Sequence, residues 1–214
     1  MQKNQKRITK STLFPILSGI YCASLIISNI LAFKTFTLGG LVTLPTAVII
    51  FPIVYIVNDV LSEIYGFQKT RRIILTAFAM NIIAVIAYNI AIILPAPGFF
   101  DGQEAFQTVL STSFRILIAS LAAYLVGSLV NSLVMNKMRE KNADTLMWRC
   151  ILSTIVGEGL DAMIFISIAF FGTMPIPDLL IMILGQAMFK TLYEVVVYPV
   201  TRMVIMKTRQ LPEK

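Results

Sequence analysis

The sequence predicts an all-α, polytopic integral membrane protein with six transmembrane helices and both termini on the cytoplasmic side. Three observations carry this prediction. Of 214 residues, 57% are hydrophobic and only 14% are charged, and the mean hydropathy is +0.81. A soluble domain needs about a quarter of its residues charged to cover its surface, so lipid is the main solvent of this exterior. The apolar residues also gather into six stretches long enough to cross a hydrocarbon core about 30 Å thick. Finally, the charges between those stretches are unevenly shared.

The spans are 13–33, 43–65, 72–95, 114–136, 150–171 and 179–206. Lys3, Lys6, Arg7 and Lys10 precede the first. That stretch is longer than the apolar core of a signal peptide and lacks a small-residue cleavage site, so it reads as a membrane helix. Gly39-Gly40 separates the first two spans, and Pro95-Ala96-Pro97-Gly98 ends the third. Gly172 and Pro175-Ile176-Pro177 part the last two. The polar stretch from Asp101 to Ser113 is expected to form an interfacial turn on the outer side. No loop has room for a soluble domain, so residues 1–214 are expected to form a single membrane domain.

Charge sets the orientation. With the N-terminus inside, the inner segments carry Lys3, Lys6, Arg7, Lys10, Lys69, Arg71 and Arg72. They also carry Lys137, Arg139, Lys141, Arg149, Arg202, Lys207, Arg209 and Lys214. The outer segments have only Lys34 and Arg115, beside Asp101, Glu104 and Asp178. Fifteen bases against two is a strong positive-inside bias, with the remaining base, Lys190, inside a span. The basic clusters read as solvated helix ends. The net charge of +7 thus reports topology, with the lipid bilayer as partner and no direct contact with nucleic acid expected.

Several chemistries are disfavoured. The absence of histidine removes His-based zinc sites and Ser-His-Asp triads. No GxxxxGK[ST] run is present, so ATP hydrolysis by this chain is not expected. Cys22 and Cys150 lie in or beside apolar segments and build no disulfide framework. No catalytic residue, metal site or cofactor is predicted.

The informative residues are the polar ones inside the spans. An ionisable side chain at the bilayer centre costs about 2.5–3.5 kcal/mol even on lenient scales, so it needs a protein partner or a wet cavity. Glu158 and Asp161 stand three apart on one face of span five, near the midplane. Gln186, Lys190 and Glu194 form a stripe at four-residue spacing on span six. At matching depth on consecutive antiparallel helices, Lys190 should meet Asp161 or Glu158. Either an ion pair fixing helix packing or a substrate or proton site accounts for this. A lower cluster holds Asn58, Asp59 and Glu63, with Glu194 and Asn131 at comparable depth. Glu63 is expected either to join that cluster, with a role in coupling, or to pair with Arg71 or Arg72 at the interface. Asn81 is placed near the midplane of span three, as part of the site or as interhelical glue. Gly157 and Gly159 flank Glu158, permitting close packing or loosening the helix. Ala119, Ala123 and Gly127 make a small-residue ridge, a packing face or a homodimer contact.

At these residues the chain resembles a known family. The run Asn58-Asp59-Val60-Leu61-Ser62-Glu63-Ile64-Tyr65-Gly66 is similar to the queuosine precursor transporter family, also called the vitamin uptake transporter family. So are Gly157-Glu158-Gly159-Leu160-Asp161 with Ile164-Phe165, and Lys190 with Tyr193-Glu194 and Pro199. Ala162 departs from the hydroxyl residue expected after the aspartate. The resemblance implies a transport domain in a bacterial inner membrane. It implies import of 7-cyano-7-deazaguanine, its 7-aminomethyl analogue or queuine, for tRNA modification. One carboxylate would then accept from N1–H and the 2-amino group of a guanine-like edge. Gln186, Asn81 or Lys190 would donate to O6, and Phe165, Tyr193 or Tyr124 would stack on the ring. The alternative is the substrate-binding component of an energy-coupling-factor importer, which needs an ATPase partner. An intramembrane enzyme would need denser acid clusters than Asp59 with Glu63.

Overall fold

The computed structural model describes residues 9–32, 34–38, 42–111, 114–141, 145–172 and 175–213. The Gly39-Gly40 turn, the bases Lys3, Lys6, Arg7 and Lys214, and the end of the first predicted span at Phe33 lie outside these residues. Helix α1 spans Lys10–Leu31 and opens with a capping box in which Thr9 and Thr12 satisfy each other's backbone. A short antiparallel hairpin follows, β1 Thr35–Leu38 against β2 Val42–Pro45, with Thr35 opposite Pro45. A single 3₁₀ turn, Thr46–Ile49, leads to α2, Phe51–Tyr65. The remaining helices are α3 Phe67–Ile93, α4 Gln103–Leu110, α5 Phe114–Lys141, α6 Leu146–Phe170 and α7 Ile176–Arg209.

Five of the described helices, α1, α3, α5, α6 and α7, are long and apolar enough to cross a membrane, so the chain is a multi-pass, essentially all-α membrane protein. The expected second span, 43–65, is not one helix. Its first residues, 43–45, belong to strand β2, which β-branched Val42 and Thr43 open. Pro52, in the first turn of α2, lacks the N–H that a longer helix needs there, which sets the start of α2. With 15 residues, α2 is about 22 Å long. The expected outer turn is realised as α4, eight residues with no buried side chain, tied back by Gln103 Nε2 donating to Ile92 O at 3.0 Å.

The helices alternate in direction between two ends. Lys10 donates its backbone N–H to Pro212 O at 2.8 Å and its ammonium to Glu213 at 2.7 Å. Tyr65 Oη donates to Lys10 O. The start of α1, the end of α2 and the end of α7 therefore share one end of the bundle. The Lys10 hydrogen bond and charge hold the Glu213 carboxyl below its ordinary value. Gly66, at φ +78°, is the one-residue link from α2 to α3, and Asn136 near the end of α5 accepts from the following N–H. At the opposite end, Arg115 donates to the carbonyls of Ile168 and Phe171 at 2.5 Å, satisfying the last turn of α6.

Burial follows the solvent. On α7, Leu180, Leu184, Met188, Leu192 and Val196 are exposed at four-residue spacing, a stripe suited to lipid. The buried face of the bundle is instead rich in polar groups, among them Asn58, Asp59, Glu63, Asn131, Arg149 and Glu158.

Helices α5 and α6 make the closest contact. A Cβ on Gly157 would lie 2.6 Å from Asn131 Cβ and 2.9 Å from the Gly127 carbonyl, and one on Gly127 2.8 Å from Asp161 Cβ. Ala119, Ala123 and Gly127 are buried within the chain, and Gly127 of this small-residue ridge takes part in the close contact with α6. Gly159 has open space where a Cβ would stand. Gly157→Ala should therefore destabilise the protein by about 1–3 kcal/mol through overpacking, while Gly159→Ala should be tolerated. Thermal unfolding of both variants in detergent checks this, and equal midpoints would refute the close contact.

Candidate functional site

Helices α1, α3, α5, α6 and α7, with Tyr55 of α2 and Ala47 of the 3₁₀ turn, enclose a cavity of about 110 Å³. Ala32 and Ala47 line it toward the end opposite the chain termini, and Glu194 lies at its deeper limit. The structure brings Glu158, Asp161, Gln186, Lys190, Glu194, Asn81, Tyr193 and Phe165 to this one cavity, joined by Tyr124.

Helical spacing explains the convergence. On α6, Thr154, Glu158, Asp161 and Phe165 follow at intervals of three or four and share one face; on α7, Gln186, Lys190 and Glu194 do the same. The glycine contact draws α6 against α5, which carries Ser120, Ala123 and Tyr124 into the same wall.

Lys190 stands between both carboxylates. Its Nζ donates to Asp161 Oδ2 at 2.6 Å, and lies 2.6 Å from Glu158 Oε2 as an ion-pair contact off the hydrogen-bond directions. It also sits 5.8 Å from the centroid of the Tyr55 ring. Two acids facing one base leave acceptor capacity over. Glu158 Oε1 and Gln186 Oε1 are buried with no hydrogen-bond partner among the described residues. An orphaned buried acceptor costs about 1–3 kcal/mol, so this wall is built to receive donors. Asn81 accepts from Asn29 at 2.8 Å, and Ser120 donates to Asn29 at 3.3 Å, a polar strap across α1, α3 and α5. The aromatic side chains of Phe165, Phe189, Tyr193 and Tyr124 complete the lining.

The lower cluster resolves into two groups. Asn58 donates to Asn131 at 3.0 Å and Ser62 meets Ser132 at 2.8 Å, joining α2 to α5. Glu63, expected either in this cluster or beside Arg71 or Arg72, makes a separate ionic knot: Arg71 and Arg72 are exposed, and Glu63 is fully buried. Arg149 grips it bidentately at 2.5 and 3.2 Å, Arg209 contacts it closely, and Arg139 lies 3.9 Å away. Arg149, read from sequence as a solvated helix end, has a fully buried side chain. The missed signal is its phase: Arg149, Ser153, Gly157 and Asp161 fall on one four-residue stripe, the inward face of α6. Asn29, Tyr55 and Phe189 were also missed, because an aromatic ring or a lone amide in an apolar helix carries no charge to single it out.

Removing one partner of a buried pair usually costs about 3–5 kcal/mol, because it strands the other charge. Arg149→Met should therefore lower the unfolding midpoint strongly, and adding Glu63→Gln to it should restore most of the loss. A double variant no more stable than Arg149→Met would show that Arg149 serves packing rather than charge.

Comparison with known proteins identifies the family. Residues 45–204 match the family described as "Putative vitamin uptake transporter". Over 122 residues, 56% of this chain, the sequence is 32% identical to a Haemophilus influenzae protein named "Probable queuosine precursor transporter". The match spans about half, 49%, of that relative's length. No solved structure matches.

Proposed function

The chain belongs to the vitamin uptake transporter family, and from that premise we propose that it imports a queuosine precursor of the 7-deazaguanine type across a bacterial inner membrane. The observation that carries this reading is the cavity wall of Glu158 and Gln186. It offers buried, unpartnered acceptors beside aromatic side chains. A guanine-like edge presents N1–H and a 2-amino group side by side, and Glu158 is the carboxylate with a free oxygen to receive them. Asp161 serves mainly to hold Lys190, whose ammonium, with Gln186 or Asn81, answers the O6 carbonyl. The name of the Haemophilus influenzae relative supports the same substrate class.

A bidentate carboxylate contact comprises two charge-assisted hydrogen bonds, each worth about 1.5–3 kcal/mol. Glu158→Gln keeps the shape but turns one acceptor into a donor facing a donor. Its affinity for 7-cyano-7-deazaguanine should fall at least tenfold, about 1.4 kcal/mol. An analogue without the 2-amino group should bind the parent weakly and lose much less on substitution. Equal titration curves for parent and Glu158→Gln would remove Glu158 from the site. Uptake by purified protein in liposomes without ATP separates a self-sufficient transporter from a component needing an ATPase.

The shared end of Lys10 and Glu213, and the bases gathered there, support a topology for this reading. We read six crossings, α2 being the short one, with that end cytoplasmic. A reporter fused after Lys214 should be cytoplasmic and one inserted at Asp101 periplasmic. A periplasmic C-terminal reporter would overturn this orientation.

A further inference from the structure

Below the cavity, Asp59 of α2, Cys150 of α6 and Glu194 of α7 bring one donor atom each within 4.8 Å of one another, a separation that a single ion can bridge. All three are nearly inaccessible, with exposures of 0%, 0% and 3%. Both carboxylate oxygens of Asp59, and Oε1 of Glu194, lack a hydrogen-bond partner among the described residues.

A buried carboxylate with neither oxygen satisfied is among the costliest groups a fold can hold. Elsewhere in this bundle the acids are answered: Glu63 by its arginines, Glu158 and Asp161 by Lys190. Arg149, next in sequence to Cys150, has its two terminal nitrogens committed to Glu63.

We propose that the carboxylates of Asp59 and Glu194, with the Cys150 thiol alongside but outside the ligand set, form a binding site for a small, hard monovalent cation of the sodium class. Carboxylate oxygens select a hard ion. The three donors, without histidine anywhere in the chain, fall short of the closed four-ligand set of a structural zinc site. Glu194 lines the substrate cavity as well as this cluster. The cation therefore settles the charge of one wall of the cavity, and by linkage each ligand changes the affinity of the other. This last step rests on the transport reading; the existence of the cation site does not.

The test uses purified full-length protein in detergent with no deazapurine present. Thermal unfolding is followed as sodium chloride replaces choline chloride at constant ionic strength. Sodium should raise the midpoint in the parent and in Glu104→Gln, an exposed control on α4. The sodium-dependent rise should vanish in Asp59→Asn, and Glu194→Gln provides a second variant should the first fold poorly. A parent midpoint indifferent to sodium overturns the site, as does an equal rise in Asp59→Asn. A midpoint raised by micromolar zinc and not by sodium overturns the assignment to a hard ion. Where the site holds, sodium should also tighten 7-cyano-7-deazaguanine binding by about tenfold, and this gain should disappear in Asp59→Asn. Sodium binding without that gain overturns the coupling alone.

Discussion

The approach of α5 to α6 at Gly127 and Gly157 governs the placement of nearly every functional side chain. With backbone carbonyls within 3.0 Å of where a Cβ would stand, the two helices are fixed in rotation and in height. Small residues do this work in membranes because lipid gives helices no hydrophobic reason to associate, leaving packing and hydrogen bonds to hold them. Once α6 is seated, its inward face carries Glu158 and Asp161 into the cavity and Arg149 into the pocket of Glu63. Helix α7 then closes on α6 through Lys190, a contact whose strength comes from two negative charges in a poorly screened interior.

How much of this the sequence discloses depends on what kind of signal each residue leaves. An acid or lysine in the middle of an apolar helix is costly, so Glu158, Asp161, Lys190 and Glu194 announce themselves, and helical phase shows which of them share a face. Arg149 leaves no such mark, because a base near a helix end is also what an exposed, topology-setting residue looks like. Only its phase with Ser153, Gly157 and Asp161 betrays that it faces inward. The start of α2 is hidden for a different reason. The stretch from Val42 to Ile50 is as apolar as a membrane helix, and hydropathy does not distinguish strand and 3₁₀ turn from helix. Pairing with β1 and the proline at the head of α2 decide it.

The charges divide the interior into layers with different duties. At the end shared by the termini, Glu63 is enclosed by three arginines, a group in which base exceeds acid. At mid-depth two acids face one lysine, and between these layers Asp59 and Glu194 meet with no salt bridge to a base among the described residues. Acid therefore exceeds base around the cavity, and base exceeds acid where the bundle is closed.

That distribution bears on how a cavity lined toward one end communicates with the other. Beneath Glu194 the way is blocked by the Asn58–Asn131 and Ser62–Ser132 hydrogen bonds and then by the Glu63 knot. Both barriers involve α2, the short helix, whose links to its neighbours in sequence are a single glycine and a 3₁₀ turn. Separating a buried ion pair strands charge unless water enters as the pair parts. Arg139 and Arg209 are partly exposed, at 41% and 42% of their side chains. Water already reaches that side of the knot, so its bonds can be exchanged for hydration one at a time. Lys190, Glu158 and Asp161 have little such access, with side-chain exposures of 15%, 1% and 10%. The ionic contacts that hydration can replace therefore lie at α2 and the termini end, whereas those of α6 and α7 around the cavity are shielded.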